Sequence, residues 1–472
     1  MTRLSNIDAG FLLTESQHSP KHVGGLLVLS LPKGKGPAWL RKLLADMKQA
    51  SPGFPFSQKL QPGNPLQPAL VLDTAFDIDY HVRHTVLPHP GSDRQLTELI
   101  ARLHSTLLDR DRPLWEFHLI EGLQDRRFAM FTKVHHSIAD GLTFARWFAA
   151  SCSASAANRS TPPVWHQPPA AADGDEEGPG LLHLLSDGVR LFGGGVKTAA
   201  GLSTLGGRLL LRRVFERDVT IPLPLSAPRT ALNAVTGAAR AFAITDYPLK
   251  EIKAVGKFRG CSVNDVLMTV TDLAVNRYFR EHGNPVDEPL IAYMPVNLRA
   301  NDGQGAGQRG GQGDGNLISL LQVRLAREHD NPLETLRQIH ESSRSAREVY
   351  SSASRSVVQY YSLMVALMTL AEEYLKLDKW LPPAINLVIS NVAGPPQHLY
   401  FRGARIERVY PVSTLPPLTA LNVTANSYAG TLYLGLVAGR SSIPDLASLT
   451  RHFDEACAEL KKLTGVGKSP SA

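Results

Sequence analysis

Apolar and polar positions alternate in short blocks through the first third of the chain. The runs HVGGLLVLSL (22–31), EFHLI (116–120) and RFAMFTKV (127–134) predict strands; WLRKLLADMKQ (39–49) and RQLTELIARLHSTLLD (94–109) predict helices between them. In the second helix Leu96, Leu99, Leu103 and Leu107 recur every three or four residues, the spacing of one buried face. Strands interleaved with helices indicate an α/β or α+β domain over residues 1–150.

The texture changes at residue 151. SCSASAANRSTPPVWHQPPAAADGDEEGPG (151–180) is dominated by Ser, Ala, Pro and acidic residues and reads as an exposed linker. Beyond it Leu181, Leu185, Val189, Phe192 and Val196 mark a helical face, with basic residues from Lys197 to Arg217. That stretch, completing a connector over 151–235, reads either as helix packed on the domains or as a basic amphipathic element settling on a lipid surface. A second unit, 236–472, follows. In it RAFAITDY (240–247), IAYMPVNL (291–298), AINLVISNV (384–392) and TLYLGLVAG (431–439) predict strands. LKEIKAVGKF (249–258) predicts a helix, and SVNDVLMTVTDLAVNRYF (262–279) a longer one opening at Asn264 or Asp265. NDGQGAGQRGGQGDGN (301–316) is too rich in Gly and Gln for a regular element. Two units of like texture joined by a connector predict two lobes around a cleft or tunnel.

With 472 residues, 43% of them hydrophobic and 20% charged, the chain has ample material for a buried core. Its three cysteines, Cys152, Cys261 and Cys457, are widely spaced, which argues against a disulfide framework and for a reducing compartment. MTRLSNIDAGFLLTESQHSP lacks the apolar core of a signal peptide, and no run of about 18 apolar residues predicts a spanning helix. A net charge of +7 suits anionic surfaces or phosphorylated co-substrates, but the clustered basic and aromatic residues of a nucleic-acid groove are missing. GAGQRG (305–310) follows no strand and enters no helix, so a dinucleotide loop is excluded; GGGVKT (193–198) fails as a phosphate loop for the same reason.

KVHHSIADG (133–141) carries the chemistry. Adjacent side chains on a strand face opposite ways, so His135 and His136 are poorly placed to share a metal ion, and no metal is expected. Two readings stay open: a pair of structural histidines near a turn, or a strand that delivers one imidazole to a cleft while its neighbour points inward. On the second reading a neutral imidazole takes a proton from an alcohol near neutral pH. Asp140 fixes the local geometry by pairing with an arginine, and Gly141 leaves room for a close approach. The constellation predicts acyl transfer to a hydroxyl or amine.

HHxxxDG, here His135-His136-Ser-Ile-Ala-Asp140-Gly141, resembles the signature of the CoA-dependent acyltransferase superfamily. Pro113-Leu114-Trp115 looks like the PLW motif of the bacterial wax ester synthase/diacylglycerol acyltransferase family. SVNDVLM resembles its Asn-Asp motif at Asn264-Asp265, and MPVNLR its proline-to-arginine motif ending at Arg299. NLVISNVAGPPQHLYFRGARI (386–406), with Ser390 and Asn391, is similar to its NVxSNVPGP stretch. The likeness runs from about residue 3 to about 460, departing at Ala393, where the family usually has proline, and in a longer glycine-rich stretch at 301–314.

This resemblance implies a two-lobed, chloramphenicol-acetyltransferase-like fold with the active site in a tunnel between the lobes. It implies His136 as general base, His135 as support and Asp140 as a structural residue, with Arg299 a candidate partner for Asp140. Ser390 and Asn391 are candidate cleft residues or oxyanion donors. Pro113, Leu114 and Trp115 read more readily as lobe packing, and Asn264 and Asp265 as helix caps. The implied reaction moves an acyl group from acyl-CoA, a co-substrate, to a fatty alcohol or diacylglycerol, with no bound cofactor. The implied location is cytoplasmic, peripheral to a membrane or lipid inclusion. The rivals are a condensation-type enzyme with a carrier-protein donor and a non-catalytic lipid-coat protein.

Overall fold

The structure is a computed structural model and describes residues 2–4, 6–63, 68–166, 222, 225–297, 318–327, 329–351, 365, 368, 372, 376 and 380–466. Two six-stranded sheets organise it. The first runs Tyr400–Phe401, Ala404–Val412, His22–Ser30, Arg127–His135, Trp115–Leu123, Val82–Val86. The second runs Ile318–Arg324, Ile291–Asn297, Leu387–Ala393, Leu421–Tyr428, Thr431–Gly439, Arg240–Pro248. A small sheet of Thr2–Arg3, Ala69–Leu72 and Gln58–Leu60 lies apart from both. Each large sheet heads its own apolar cluster, so the molecule has two lobes.

The boundary between lobes does not follow the chain. A second unit of 236–472 was expected to keep to itself, yet Tyr400–Phe401 and Ala404–Val412 pair into the first sheet, with Val409 opposite Leu27 and Tyr410 opposite Leu26. The reason is edge protection: His22–Ser30 is buried along nearly its whole length and needs a partner on both sides. Phe401, Ile406, Tyr410 and Val412 are accordingly fully buried in the first lobe's core.

The first part of the connector also departs from expectation. Thr161, Pro163, Val164 and Trp165 are buried rather than exposed. Trp165 stacks on Trp115 at 5.5 Å between ring centroids, and its indole N–H donates to Ala50 O at 3.1 Å. One large ring outweighs a run of Ser, Ala and Pro, because burying it removes a large apolar area from water. The amphipathic stretch from 181, the segment 301–316 and both glycine decoys lie outside the described residues.

The predicted helix 94–109 forms as Asp93–Ser105, opened by a capping box between Ser92 and Gln95. Leu96 and Leu99 face the core, but the helix stops before Leu107, and His104 takes the buried position at its end. The long helix of the second lobe, Val263–Glu281, opens one residue earlier than expected. Its N-cap is Ser262, not Asn264 or Asp265, and Asp265 closes the box from the third helical position. Buried nearly all round, it packs against the helices Pro332–Ser351, Leu446–Leu463 and Leu249–Arg259.

The lobes meet where Ala404–Val412 crosses Thr431–Gly439. At Gly435 a Cβ would stand 1.8 Å from Pro411 O, so only glycine lets the two backbones approach. Gly435→Ala is expected to lose on the order of 1–3 kcal/mol of stability, the usual cost of overpacking, as measured by denaturant unfolding.

Candidate active site

The strand Arg127–His135 pairs with His22–Ser30 so that His22 lies opposite His135. One residue past the strand, the His136 amide donates to Lys21 O at 2.8 Å, so the ladder also fixes the first residue of the turn. His135 donates its amide to Leu114 O at 2.9 Å. The two rings then part: His135 is fully buried, whereas His136 is half-buried and stacks on Phe11, 4.1 Å between centroids.

His135 Nδ1 accepts from the Ser137 amide at 3.1 Å and lies 2.6 Å from Ser137 Oγ. Its other nitrogen, Nε2, is therefore the protonated one, and it faces Glu15 Oε1 at 3.4 Å. Glu15 also accepts from the Lys21 amide at 3.0 Å and from Arg110 at 3.1 and 3.3 Å. Burial pushes the Glu15 carboxyl up, but the N–H of His135, the Lys21 amide and Arg110 together bring it below its ordinary value. Glu15 thus grips both His135 and the residue whose carbonyl holds His136.

His136 is pushed down to about 4, chiefly by burial; its own carbonyl and Asp140 oppose the shift, and His135 and Lys21 add to it. The ring is neutral at physiological pH. Asp140 does not meet an arginine among the described residues: it is the N-cap of Gly141–Ala150, accepting from the Thr143 amide at 2.7 Å. Arg299, its expected partner, lies outside the described residues. A Cβ at Gly141 would touch nothing within 4 Å, so the glycine answers to no packing demand of the protein.

Pro113, Leu114 and Trp115 are all buried. Trp115 lies between His81 and Trp165 and donates to Phe56 O at 2.8 Å, while Leu114 lends its carbonyl to His135. In the second lobe the amide of Asn391 donates to Asn264 Oδ1 at 2.8 Å, joining two motifs 127 positions apart. One N–H of Asn391 is thereby committed to protein. Ser390, half-buried, sits opposite Thr424. Cys261, Asp265 and His340 place ligand-type atoms within 4.8 Å of one another. Yet one Asp265 oxygen accepts from the Ser262 amide and faces His340, and the other accepts from Ser343 and Arg347. That carboxylate is saturated, and the cluster ties helix to helix.

Sequence reasoning missed Glu15, Arg110 and a buried row behind the histidines. Lys133, with no exposure, donates to Leu103 O at 3.0 Å and Thr106 O at 2.9 Å and pairs with Glu116 at 3.3 Å; His22 Nε2 meets His104 O at 2.6 Å. The legible signal was a lysine in one apolar strand and a glutamate in the neighbouring one. Nothing near Glu15 in the sequence marked it.

A family profile, Wax ester synthase/diacylglycerol acyltransferase catalytic domain, matches residues 4–267, and the WS/DGAT C-terminal domain matches 314–461. The chain belongs to this family. It is 36% identical to a probable diacylglycerol O-acyltransferase of Mycobacterium tuberculosis, over 97% of this chain and 98% of that protein. It is 31% identical to an O-acyltransferase WSD of Acinetobacter baylyi, over 99% and 98%. The structure of a wax ester synthase/diacylglycerol acyltransferase from Marinobacter aquaeolei superposes with a TM-score of 0.76 at 31% identity, covering 98% of this chain and all of that one. The first condensation domain of the CDA synthetase shares the fold at a TM-score of 0.56 and 15% identity, over 100% of this chain and 97% of that one. As a WS/DGAT-family protein, the chain is an O-acyltransferase with the two-lobed fold of this group.

His136 is held neutral, and so is His104, pushed down to about 3 mainly by burial. Unfolded, both rings would bind a proton near 6.5. The unfolded state therefore holds more protons between pH 6.5 and the folded values, so stability is full above about 6.5 and falls as the pH drops. Lowering the pH from 7.5 to 5.5 should remove on the order of 2 kcal/mol, read as a falling urea midpoint.

Proposed function

We propose that this acyltransferase carries a long-chain acyl group from acyl-CoA to a lipophilic alcohol, a fatty alcohol or a diacylglycerol, with His136 as general base. One observation carries the reading: His136 alone of the pair is partly exposed, tied by its backbone to Lys21, and its surroundings push its pKa down to about 4, so that the ring is neutral. Its Nδ1 is sealed from water, so Nε2 is the nitrogen that receives the proton. The alcohol oxygen attacks the thioester carbonyl as its proton passes to Nε2. The tetrahedral oxyanion collapses, the C–S bond breaks, and the imidazolium returns the proton to the departing thiolate, leaving ester and free CoA. No acyl-enzyme intervenes; holding the two substrates together supplies much of the acceleration. His135 and Asp140 hold the turn, and Ser390 and the second N–H of Asn391 remain the proposed oxyanion donors.

The substrates and products are lipids, which supports peripheral attachment to a membrane or lipid inclusion; among the described residues no helix is long and apolar enough to cross a membrane. A carrier-protein donor, as in condensation enzymes, rests on a shared fold alone.

Thiol release from palmitoyl-CoA, with hexadecanol and diacylglycerol in competition, should proceed with one or both acceptors. Release that depends on neither acceptor, or transfer only from an acyl-carrier protein, sinks the reading. His136→Ala should lower turnover by about 10²–10⁴-fold with the fold intact by circular dichroism. Gly141→Ala should leave the urea midpoint unchanged or slightly raised, since the added methyl meets no protein atom, yet reduce turnover because substrate uses that space.

A further inference from the structure

Among the described residues Trp380 is the most exposed large hydrophobic side chain, at 82%. A little further along the chain, Pro383 lines a cavity of about 140 Å³ in the second lobe, together with Arg229, Thr230, Asn233, Leu418 and the carboxylate of Glu372 among others. Three exposed apolar residues adjoin that lining in the chain: Val235, 57% exposed, follows Ala234 of the wall, and Trp380 and Leu381, the latter 36% exposed, precede Pro383. Arg229, itself exposed, binds the two sides together by donating to Leu381 O at 2.8 Å. A tryptophan left in water beside two aliphatic residues and a cation is costly in a bulk aqueous setting. It is the composition of an interfacial anchor, where an amphipathic ring sits at headgroup level and arginine meets phosphate.

The wall of this cavity is linked to the catalytic turn. Leu418 lies in the loop 413–420, whose Thr414 Oγ1 donates to Pro20 O at 2.6 Å. Pro20 precedes Lys21, whose carbonyl holds the His136 amide. Asn233, also in the wall, donates to Leu418 O at 3.1 Å and Ile385 O at 2.7 Å, so the site is anchored by polar contacts from beneath.

We propose that the rim formed by Val235, Trp380, Leu381 and Arg229 docks on an anionic phospholipid surface, setting the adjacent cavity against the lipid from which the acceptor comes. Charge complementarity favours this occupant over a neutral one: Arg229 is exposed beside Leu381, whereas the carboxylate in the cavity wall, Glu372, is buried, and the whole chain carries +7. The inference rests on the proposed lipid acceptor, and its test separates the two.

Full-length enzyme is mixed with phosphatidylglycerol/phosphatidylcholine vesicles and with pure phosphatidylcholine vesicles, and binding is measured by co-sedimentation. Turnover of palmitoyl-CoA is followed with hexadecanol embedded in the vesicles and, separately, with octanol in solution. Wild type should bind the anionic vesicles preferentially. Trp380→Glu and Val235→Glu should weaken that binding at least tenfold and slow turnover of embedded hexadecanol, while leaving octanol turnover unchanged. Brominated phospholipid should quench wild-type fluorescence, and Trp380→Phe should abolish most of that quenching. The proposal is overturned if wild type ignores anionic vesicles, if the glutamate variants bind like wild type, or if quenching survives in Trp380→Phe. It also falls if sedimentation velocity shows a dimer that Trp380→Glu dissolves, since the patch is then a contact between copies. Absence of octanol turnover in wild type, by contrast, strikes the catalytic reading and leaves the docking result standing on its own measurements.

Discussion

A helix that ends inside a protein leaves carbonyl groups that water cannot reach, and the helix Asp93–Ser105 ends where the two lobes meet. Each such carbonyl left unpaired would cost on the order of 1–3 kcal/mol. Lys133 answers for Leu103 and Thr106, and His22 for His104. A cation at this end also meets the negative pole of the helix. The lysine is wholly buried, and burial draws its pKa below the ordinary value. Glu116 makes the charge tolerable: burial alone would raise its carboxyl, but His118, Lys133 and Arg83 hold it down at about 2. The His104 ring then reaches Ser413 O in the loop before Leu421–Tyr428, so a capped helix end becomes a joint between lobes.

The arrangement of the histidine pair follows from that joint by the two-residue period of a strand. Lys133 and His135 project to the same face of Arg127–His135, the face that closes on the helix end. His135 is therefore committed to the interior, where Glu15 and Ser137 fix its tautomer. The next residue must point the other way, and the backbone bond to Lys21 stops it from wandering. Two adjacent histidines thus acquire different surroundings, one from the strand face and one from the turn that the Lys21 carbonyl holds. Partial burial then acts electrostatically on His136, pushing its pKa down to about 4 while leaving the ring partly exposed; a base pushed so far down is intrinsically weaker than one poised near neutrality, a cost the proposed role carries.

Strand and helix types were legible where periodicity was strong. Thr431–Gly439 and Arg240–Pro248 form as the runs TLYLGLVAG and RAFAITDY. Boundaries failed where long-range contacts decide them, as at residue 105, where the helix stops against donors from two distant strands. Composition misled at Thr161–Trp165, because averaging over Ser, Ala and Pro hides a single indole that packs on another. The site divided similarly. The turn 135–141 could be read because its chemistry is contiguous, whereas Glu15 comes from a segment about 120 positions away with no pattern of its own.

The exchange of strands between lobes has a consequence for the histidine turn. His22–Ser30 lies between Arg127–His135 and Ala404–Val412, and Lys21 at its leading end holds His136. The strand contributed from beyond residue 400 therefore braces the one that positions the proposed base. Were residues 1–150 separated from the rest, His22–Ser30 would become a bare apolar edge, and Tyr410, Val412 and Phe401 would leave the core. The chain beyond residue 400 thus supplies both the strand and the Thr414 hydroxyl that keep the support of the histidine turn in place. A motif confined to seven residues is thus held in place by strands from both ends of the chain.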